Sequence, residues 1–247
     1  MAAREGVGPA PCPAGAPGWG AMAEIGANVA RVRARIAEAV QRCGRRPEGV
    51  QLIAVTKTVG VDRIREAVAC GLRVLGENRV QEARAKVPEV GGGVSWHLIG
   101  GLQRNKVKDA LRLFQAIHSV DSLELAEEIS RRGAQRGGDP VGVLIEVNIS
   151  GESQKHGIAP GEAEGLVSRV MRLPGLRLRG MMGMAPLVET AEAARPFFRQ
   201  LRELRDRIRE ALPDCGLDEL SMGMTNDFEV AIEEGATMIR VGRALFA

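Results

Sequence analysis

Hydrophobic and polar positions along the chain follow two periods that alternate. Short apolar runs, typical of buried strands, are separated by longer stretches in which apolar residues recur every three or four positions, as on an amphipathic helix. The pattern predicts strands over residues 50–56, 73–76, 95–100, 115–119, 141–148, 176–183, 217–222 and 238–241.

Helical spacing occupies the stretches around these strands, and predicts helices over residues 23–43, 62–70, 78–87, 105–113, 122–133, 160–172, 190–212 and 226–234. Strict alternation of strands and helices is typical of an α/β protein with a parallel sheet. Eight such units predict a single closed (β/α)8 barrel of the TIM type. An open doubly wound sheet is the alternative, although no Gly-x-Gly-x-x-Gly motif follows the first strand.

Residues 1–21 lack both periods. They are rich in Gly, Ala and Pro and contain no apolar stretch of the kind found in a signal peptide. We therefore predict a disordered extension over residues 1–21 and a barrel domain over residues 22–247.

Composition excludes several classes of function. The net charge of +3 is spread along the chain without a long basic block, which argues against a nucleic-acid partner. No stretch approaches the ~20 uncharged apolar residues that a membrane helix needs. The four cysteines form no CxxC pair and the three histidines lack zinc-ligand spacing, so we expect neither disulfides nor a metal site. We expect a cytoplasmic monomer.

Chemistry in a barrel of this type lies at the carboxyl ends of its strands. The first strand ends at Lys57, one of only five lysines among 34 basic residues. The period of two places Lys57 on the same face as Ile53 and Val55, which predicts that it points inward and is partly buried. A partly buried amine has a lowered pKa and can form a Schiff base. The alternative is a lysine that extends into solvent.

Two further loops at the same end contain glycine. The seventh strand leads into Gly223 and Thr225, and the eighth into Gly242 and Arg243. Backbone amides in such loops, and at the start of the next helix, bind phosphate in many barrels. The alternative is two ordinary loops, with Thr225 as a helix cap. Asn78 after the second strand is likewise either a helix cap or a ligand-facing amide.

Arg240 shares the inward face of the last strand with Gly242, and an inward guanidinium needs a partner. That partner is either a carboxylate, such as Glu77, or the ring nitrogen of a bound heteroaromatic molecule. Pyridoxal 5′-phosphate carries an aldehyde, a phosphate and a ring nitrogen, and so matches the amine, the loops and the arginine together.

Motifs along nearly the whole barrel resemble the YggS-type pyridoxal phosphate homeostasis proteins, a family similar to the barrel domain of alanine racemase. The resembling segments are LIAVTKT, GENRVQEARAK, WHLIGGLQRNKVK, HSVDS, VLIEVNISGESQKHGI, LRGMMGMAP and LSMGMTNDFEVAIEEGATMIRVGRALF. The resemblance implies that Lys57 carries pyridoxal phosphate as a Schiff base and that Arg240 faces the pyridine nitrogen. It implies that Asn78 lines the pocket and that the phosphate is surrounded by Ser221, Gly223, Met224, Thr225, Gly242 and Arg243.

The chain departs from the family pattern at three positions. Arg79 stands where the family usually has tyrosine, Thr225 replaces a serine but keeps its hydroxyl, and Arg243 replaces a small or hydroxyl residue. At Arg243 a backbone amide remains available to a phosphate, whereas a side-chain hydroxyl does not.

Two functional classes fit a pyridoxal phosphate barrel. A racemase or decarboxylase needs an added domain, and related racemases take their second acid/base from a tyrosine there, whereas this chain contains no tyrosine. We therefore expect a carrier, without substrate turnover and without catalytic residues beyond the attachment at Lys57, that buffers the cofactor or delivers it to apo pyridoxal phosphate enzymes. A Schiff-base aldolase acting on a sugar phosphate is a third hypothesis.

Overall fold

The computed structural model describes residues 19–152 and 154–247. Within these residues, eight parallel strands form one closed barrel in which neighbours in sequence are neighbours in space. The predicted barrel is confirmed, and the open doubly wound sheet is wrong. The strands are β1 Gln51–Val55, β2 Val74–Glu77, β3 Ser95–Leu98, β4 Ala116–Val120, β5 Val141–Val147, β6 Leu176–Gly183, β7 Glu219–Ser221 and β8 Met238–Val241.

Helices surround the barrel in the order that the periodicity predicts. They are α1 Trp19–Arg42, α2 Val61–Ala69, α3 Val80–Val90, α4 Val107–Leu113, α5 Leu123–Arg136, α6 Ala163–Val170, α7 Arg195–Ala211, α8 Phe228–Glu233 and the short α9 Arg243–Phe246. In the described residues, no helix is both long enough and apolar enough to span a membrane.

Most of the predicted disordered extension lies outside the described residues. Its last three residues, 19–21, form the first turn of α1. The apolar face predicted for this helix is buried against the barrel, at Ile25, Val29, Val32, Ile36 and Val40.

Helix α1 also joins the two ends of the domain. The Asn28 amide donates to the carbonyl oxygen of Leu245 in α9 at 3.2 Å. Arg35 pairs with Glu229 of α8 at 2.6 Å and lies over the ring of Phe228, 4.5 Å from its centroid. The helices that follow β7 and β8 are therefore held from outside, which positions the loops in front of them.

The strands separate an apolar outer layer from a mixed interior. Ile53, Val74 and Met238 pack together inside the barrel, apart from the larger core between strands and helices. Gly76 makes room for this interior layer, since a Cβ there would lie 2.8 Å from Cγ2 of Ile53. Buried polar side chains, among them Arg240, also occupy the interior.

Candidate functional site

Lys57 lies in a turn at the mouth of the barrel. Strand β1 ends at Val55, and the amide of Val59 donates to the carbonyl of Thr56 at 3.0 Å to close the turn. The Lys57 side chain is exposed, so the predicted partial burial is wrong. The inward alternation stops because the strand ends two residues before the lysine. Its amine has no hydrogen-bond or ion-pair partner among the described residues.

A buried ion pair behind the barrel wall holds the residue before Lys57. Lys86 Nζ on α3 lies 2.7 Å from Glu77 Oε1 and donates to the carbonyl of Thr56 at 2.8 Å. The Thr56 hydroxyl donates to the same Glu77 oxygen at 2.7 Å. Glu77, Lys86 and Thr56, here called the rear clamp, thus fix the backbone from which Lys57 extends.

Arg240 lies inside the barrel with only 4% of its surface exposed. One terminal nitrogen donates to the carbonyl and the hydroxyl of Ser221, both at 2.7 Å, and the other donates to the Gly183 carbonyl at 3.1 Å. Burial lowers the pKa of Arg240 to about 10, so the guanidinium remains charged at neutral pH. The predicted alternative, a salt bridge to Glu77, is wrong, because Glu77 pairs with Lys86 outside the wall.

Two histidines continue the polar interior from Arg240 by way of Ser221. His118 Nδ1 lies 3.0 Å from the Ser221 hydroxyl, and His118 Nε2 lies 3.0 Å from His97 Nδ1. Burial lowers the pKa of His97 to about 4 and lowers that of His118 well below its ordinary range. Both rings are therefore neutral at physiological pH, so Arg240 is the charged member of this group of buried side chains.

A carboxyl group also faces the interior. Glu146 on β5 is 3% exposed and forms no side-chain hydrogen bond within the described part of the chain. Its neighbours Val143, Ile145 and Val147 belong to the outer core, so strand alternation turns Glu146 inward. Burial, helped by the nearby Asp121 and opposed by Arg240, raises the pKa of Glu146 to about 7.

The loop after β7 is a glycine turn rather than a helix start. Gly223 has φ +90°, and a Cβ there would lie 2.5 Å from the Cβ of Ala231. The amide of Met224 donates to Asp227 Oδ1 at 2.6 Å, and α8 begins only at Phe228. Thr225 forms no cap, so the alternative prediction that it caps the next helix is wrong.

The loop after β8 faces the same end of the barrel. Arg243 reaches across to Asn226 Oδ1 at 3.5 Å and so joins the two loops. The backbone amides of Thr225, Asn226, Arg243 and Ala244 are among those in these loops that donate to no acceptor in residues 19–152 and 154–247. Unpaired amides at a protein surface can bind an oxyanion.

Asn78 lies just beyond β2 at the same rim and is half-buried. Arg79, not Asn78, occupies the cap position of α3, and it forms no side-chain cap bond. The loop after β3 packs directly on this segment, since a Cβ at Gly100 would lie 2.9 Å from the Asn78 Cα. The Asn78 side chain is thus left without a structural hydrogen bond in the described residues.

Comparisons with known proteins agree with this architecture. The model of the alanine racemase N-terminal domain family matches residues 27–247. A pyridoxal phosphate homeostasis protein of Pseudomonas aeruginosa is 44% identical over 226 residues, which cover 91% of this chain and 96% of the relative. The chain belongs to the pyridoxal phosphate homeostasis protein family. The resemblance inferred from the sequence motifs is confirmed.

Further members of the pyridoxal phosphate homeostasis protein family match over similar spans. The Aquifex aeolicus relative is 44% identical over 220 residues, covering 89% of this chain and 96% of the relative. Among solved structures, PipY of Synechococcus elongatus with PLP bound aligns with a TM-score of 0.79 and 37% identity. That alignment covers 90% of this chain and the whole of PipY.

Several residues of the site were not singled out by sequence reasoning. His97, His118 and Glu146 each lie on a predicted strand, and alternation on each strand could have placed them inward. Lys86 carries no such signal, because its partner is set by how α3 packs on β2.

Proposed function

We propose that this protein binds pyridoxal 5′-phosphate at the barrel mouth and takes part in vitamin B6 homeostasis by storing or delivering it. The observation that carries the proposal is a juxtaposition at one rim of the barrel. An exposed lysine amine without a partner in the described residues, Lys57, shares that rim with two loops in which several backbone amides lack acceptors there. The names of the curated relatives and the PLP-bound PipY structure support the same function.

The residues present fit the chemical groups of this cofactor. Free amides at Thr225, Asn226, Arg243 and Ala244 suit a phosphate, and Gly223 and Gly242 place no side chain at two positions of these loops. Bound pyridoxal phosphate supplies an aldehyde, which condenses with a lysine amine to form a C=N bond with loss of water. Lys57 provides that amine without first breaking an ion pair.

Arg240 is proposed to face the pyridine nitrogen. Its guanidinium is charged and donates hydrogen bonds, so it keeps a neighbouring ring nitrogen unprotonated and weakens the ring as an electron sink. This role supports a carrier rather than a racemase or decarboxylase. Ser221, whose hydroxyl is engaged by Arg240 and His118, is assigned to support Arg240 rather than to contact the phosphate.

Asn78 and Met224 complete the proposed pocket at its edge. Met224 is 39% exposed beside the glycine turn, and Asn78 lies across the mouth after β2. We further propose that the protein acts as a cytoplasmic monomer and that apo pyridoxal phosphate enzymes receive the cofactor from it.

Titration of the apoprotein with pyridoxal phosphate, followed by absorbance, tests the proposal. Wild type should develop the band of a lysine–aldehyde Schiff base at one equivalent, and Lys57→Ala should not. Lys108→Ala, which removes an exposed lysine on α4, is the matched control and should behave as wild type. An identical band in Lys57→Ala would exclude Lys57 as the attachment site. Steady turnover of an amino acid by wild type would support a racemase or decarboxylase instead. A colourless protein that traps a sugar phosphate would support an aldolase.

A further inference from the structure

The chain of buried polar groups that begins at Arg240 has a single hydrogen-bond direction. Arg240, Ser221, His118 and His97 lie in sequence along it, with separations of 2.7, 3.0 and 3.0 Å. Each member is on a different strand, β8, β7, β4 and β3 respectively. The chain therefore crosses the interior from the cofactor side of the barrel to its opposite wall.

We propose that His118 is a positioning residue for Arg240, acting through Ser221 as the tautomer protonated on Nε2. The consequence for the cofactor rests on the proposed function above. The tautomer itself is a property of the protein without cofactor.

The donors and acceptors available on each side chain fix the direction of these hydrogen bonds. A guanidinium can only donate, so the Ser221 oxygen accepts from Arg240. The Ser221 hydroxyl has one hydrogen, and its other partner in the described residues is His118 Nδ1. Ser221 has no exposed surface, so a hydroxyl hydrogen without an acceptor would be costly. The hydroxyl therefore donates to His118 Nδ1.

The Ser221 hydroxyl also fixes the tautomers of both imidazoles. With Nδ1 accepting, neutral His118 carries its proton on Nε2 and donates it to His97 Nδ1. His97 is then also protonated on Nε2. Both rings are neutral because burial lowers their pKa, and nearby positive charge lowers it further, from Arg179 at His97 and from Arg240 and Arg179 at His118.

The contacts of Arg240 with the protein leave part of its guanidinium for a ligand. Three of the five N–H groups of Arg240 are used on the protein, two by Ser221 and one by Gly183. The Nε–H and one terminal N–H find no acceptor in the described residues. If His118 donated to Ser221 instead, the Ser221 oxygen would accept from both partners and its own hydrogen would be buried without an acceptor. His118 holds Ser221 and Ser221 holds one end of the guanidinium, so the two remaining N–H donors have a fixed position.

Nitrogen-15 NMR of histidine-labelled apoprotein tests the tautomer directly. His118→Asn and His156→Gln assign the signals of the three histidines. We expect His118 to show a protonated Nε2 and an unprotonated Nδ1 at pH 7. A proton on Nδ1, or on both nitrogens, would overturn the assigned direction.

The positioning role is tested by cofactor binding to three variants. His118→Leu removes both polar contacts, and we expect at least a tenfold loss of pyridoxal phosphate affinity together with a shifted absorption band. His118→Asn keeps an acceptor near Ser221 and should restore the wild-type band. His156→Gln, at an exposed position, is the control. Wild-type spectrum and affinity in His118→Leu would contradict the role. Failure of wild type to bind the cofactor would instead contradict the proposed function, and the NMR result would still decide the tautomer.

Discussion

Lys86 and Glu77 form an ion pair on the far side of the barrel wall from the pocket, with 2.7 Å between Nζ and Oε1. Glu77 has no exposed side-chain surface and Lys86 has 12%. Because Lys86 also donates to the Thr56 carbonyl, this pair acts on the chain next to Lys57 without touching the pocket. The Lys57 amine is therefore exposed, whereas the backbone next to it is held in place.

Lys86→Met should destabilise the apoprotein, because it removes the cation of the rear clamp. It keeps most of the aliphatic stem but leaves the buried Glu77 carboxylate uncompensated, which typically costs about 3 kcal/mol of unfolding free energy. Denaturant unfolding of the apoprotein measures this cost. Arg131→Met is the control, because its partner Glu128 lies on the exposed face of α5 and such pairs contribute less than about 1 kcal/mol. Equal stability of the two variants would contradict the role given to the clamp.

Gly223→Ala should disturb the loop after β7. The residue has φ +90°, and the new Cβ would meet Ala231 and Phe228. We expect weaker binding of both pyridoxal phosphate and inorganic phosphate, measured by calorimetry. Gly161→Ala is the matched control, since a Cβ there meets nothing within 4 Å and no positive φ is required. Unchanged phosphate binding in Gly223→Ala would show that this loop does not hold the phosphate.

Glu146→Gln should stabilise the apoprotein in a pH-dependent way. The pKa of Glu146 is about 7 in the folded protein, above its ordinary value of 4.5, so the folded state holds a proton that the unfolded chain loses earlier. Stability therefore falls as the pH rises from 4.5 to 7, and glutamine avoids this loss. The variant should gain up to roughly 3 kcal/mol over wild type at pH 8.

The gain from Glu146→Gln should disappear near pH 4, where the carboxyl is protonated in both states. Thermal or urea unfolding at the two pH values makes the comparison. A variant less stable than wild type at pH 8 would indicate that ionised Glu146 is paired with Arg240, contrary to its unpartnered geometry.

Periodicity alone predicts the barrel and the strands that carry the site. The eight strands appear in the predicted order because each apolar run is long enough to be buried on both faces. It could not predict the exposure of Lys57, because the turn that begins at Thr56 ends the alternation. Likewise, Asp227 rather than Thr225 bonds the Met224 amide, a choice made by loop geometry.

Contacts between distant strands could not be predicted from the sequence either. The path from His97 to Arg240 depends on which inward side chains share a level in the closed barrel, and that level follows from strand register and tilt. The apolar period indicates the face of the sheet on which each residue lies, but not its level along the barrel axis. The partner of Lys86 could not be predicted for a similar reason, because it depends on how α3 packs on the barrel wall.

Mass spectrometry after borohydride reduction identifies the lysine that binds the cofactor. Protein loaded with pyridoxal phosphate is reduced, digested and searched for a phosphopyridoxyl adduct. We predict one adduct at one equivalent of cofactor, on the peptide that contains Lys57, and its loss in Lys57→Ala but not in Lys108→Ala. An adduct spread over several lysines, or an unmodified Lys57 in coloured protein, would contradict the account.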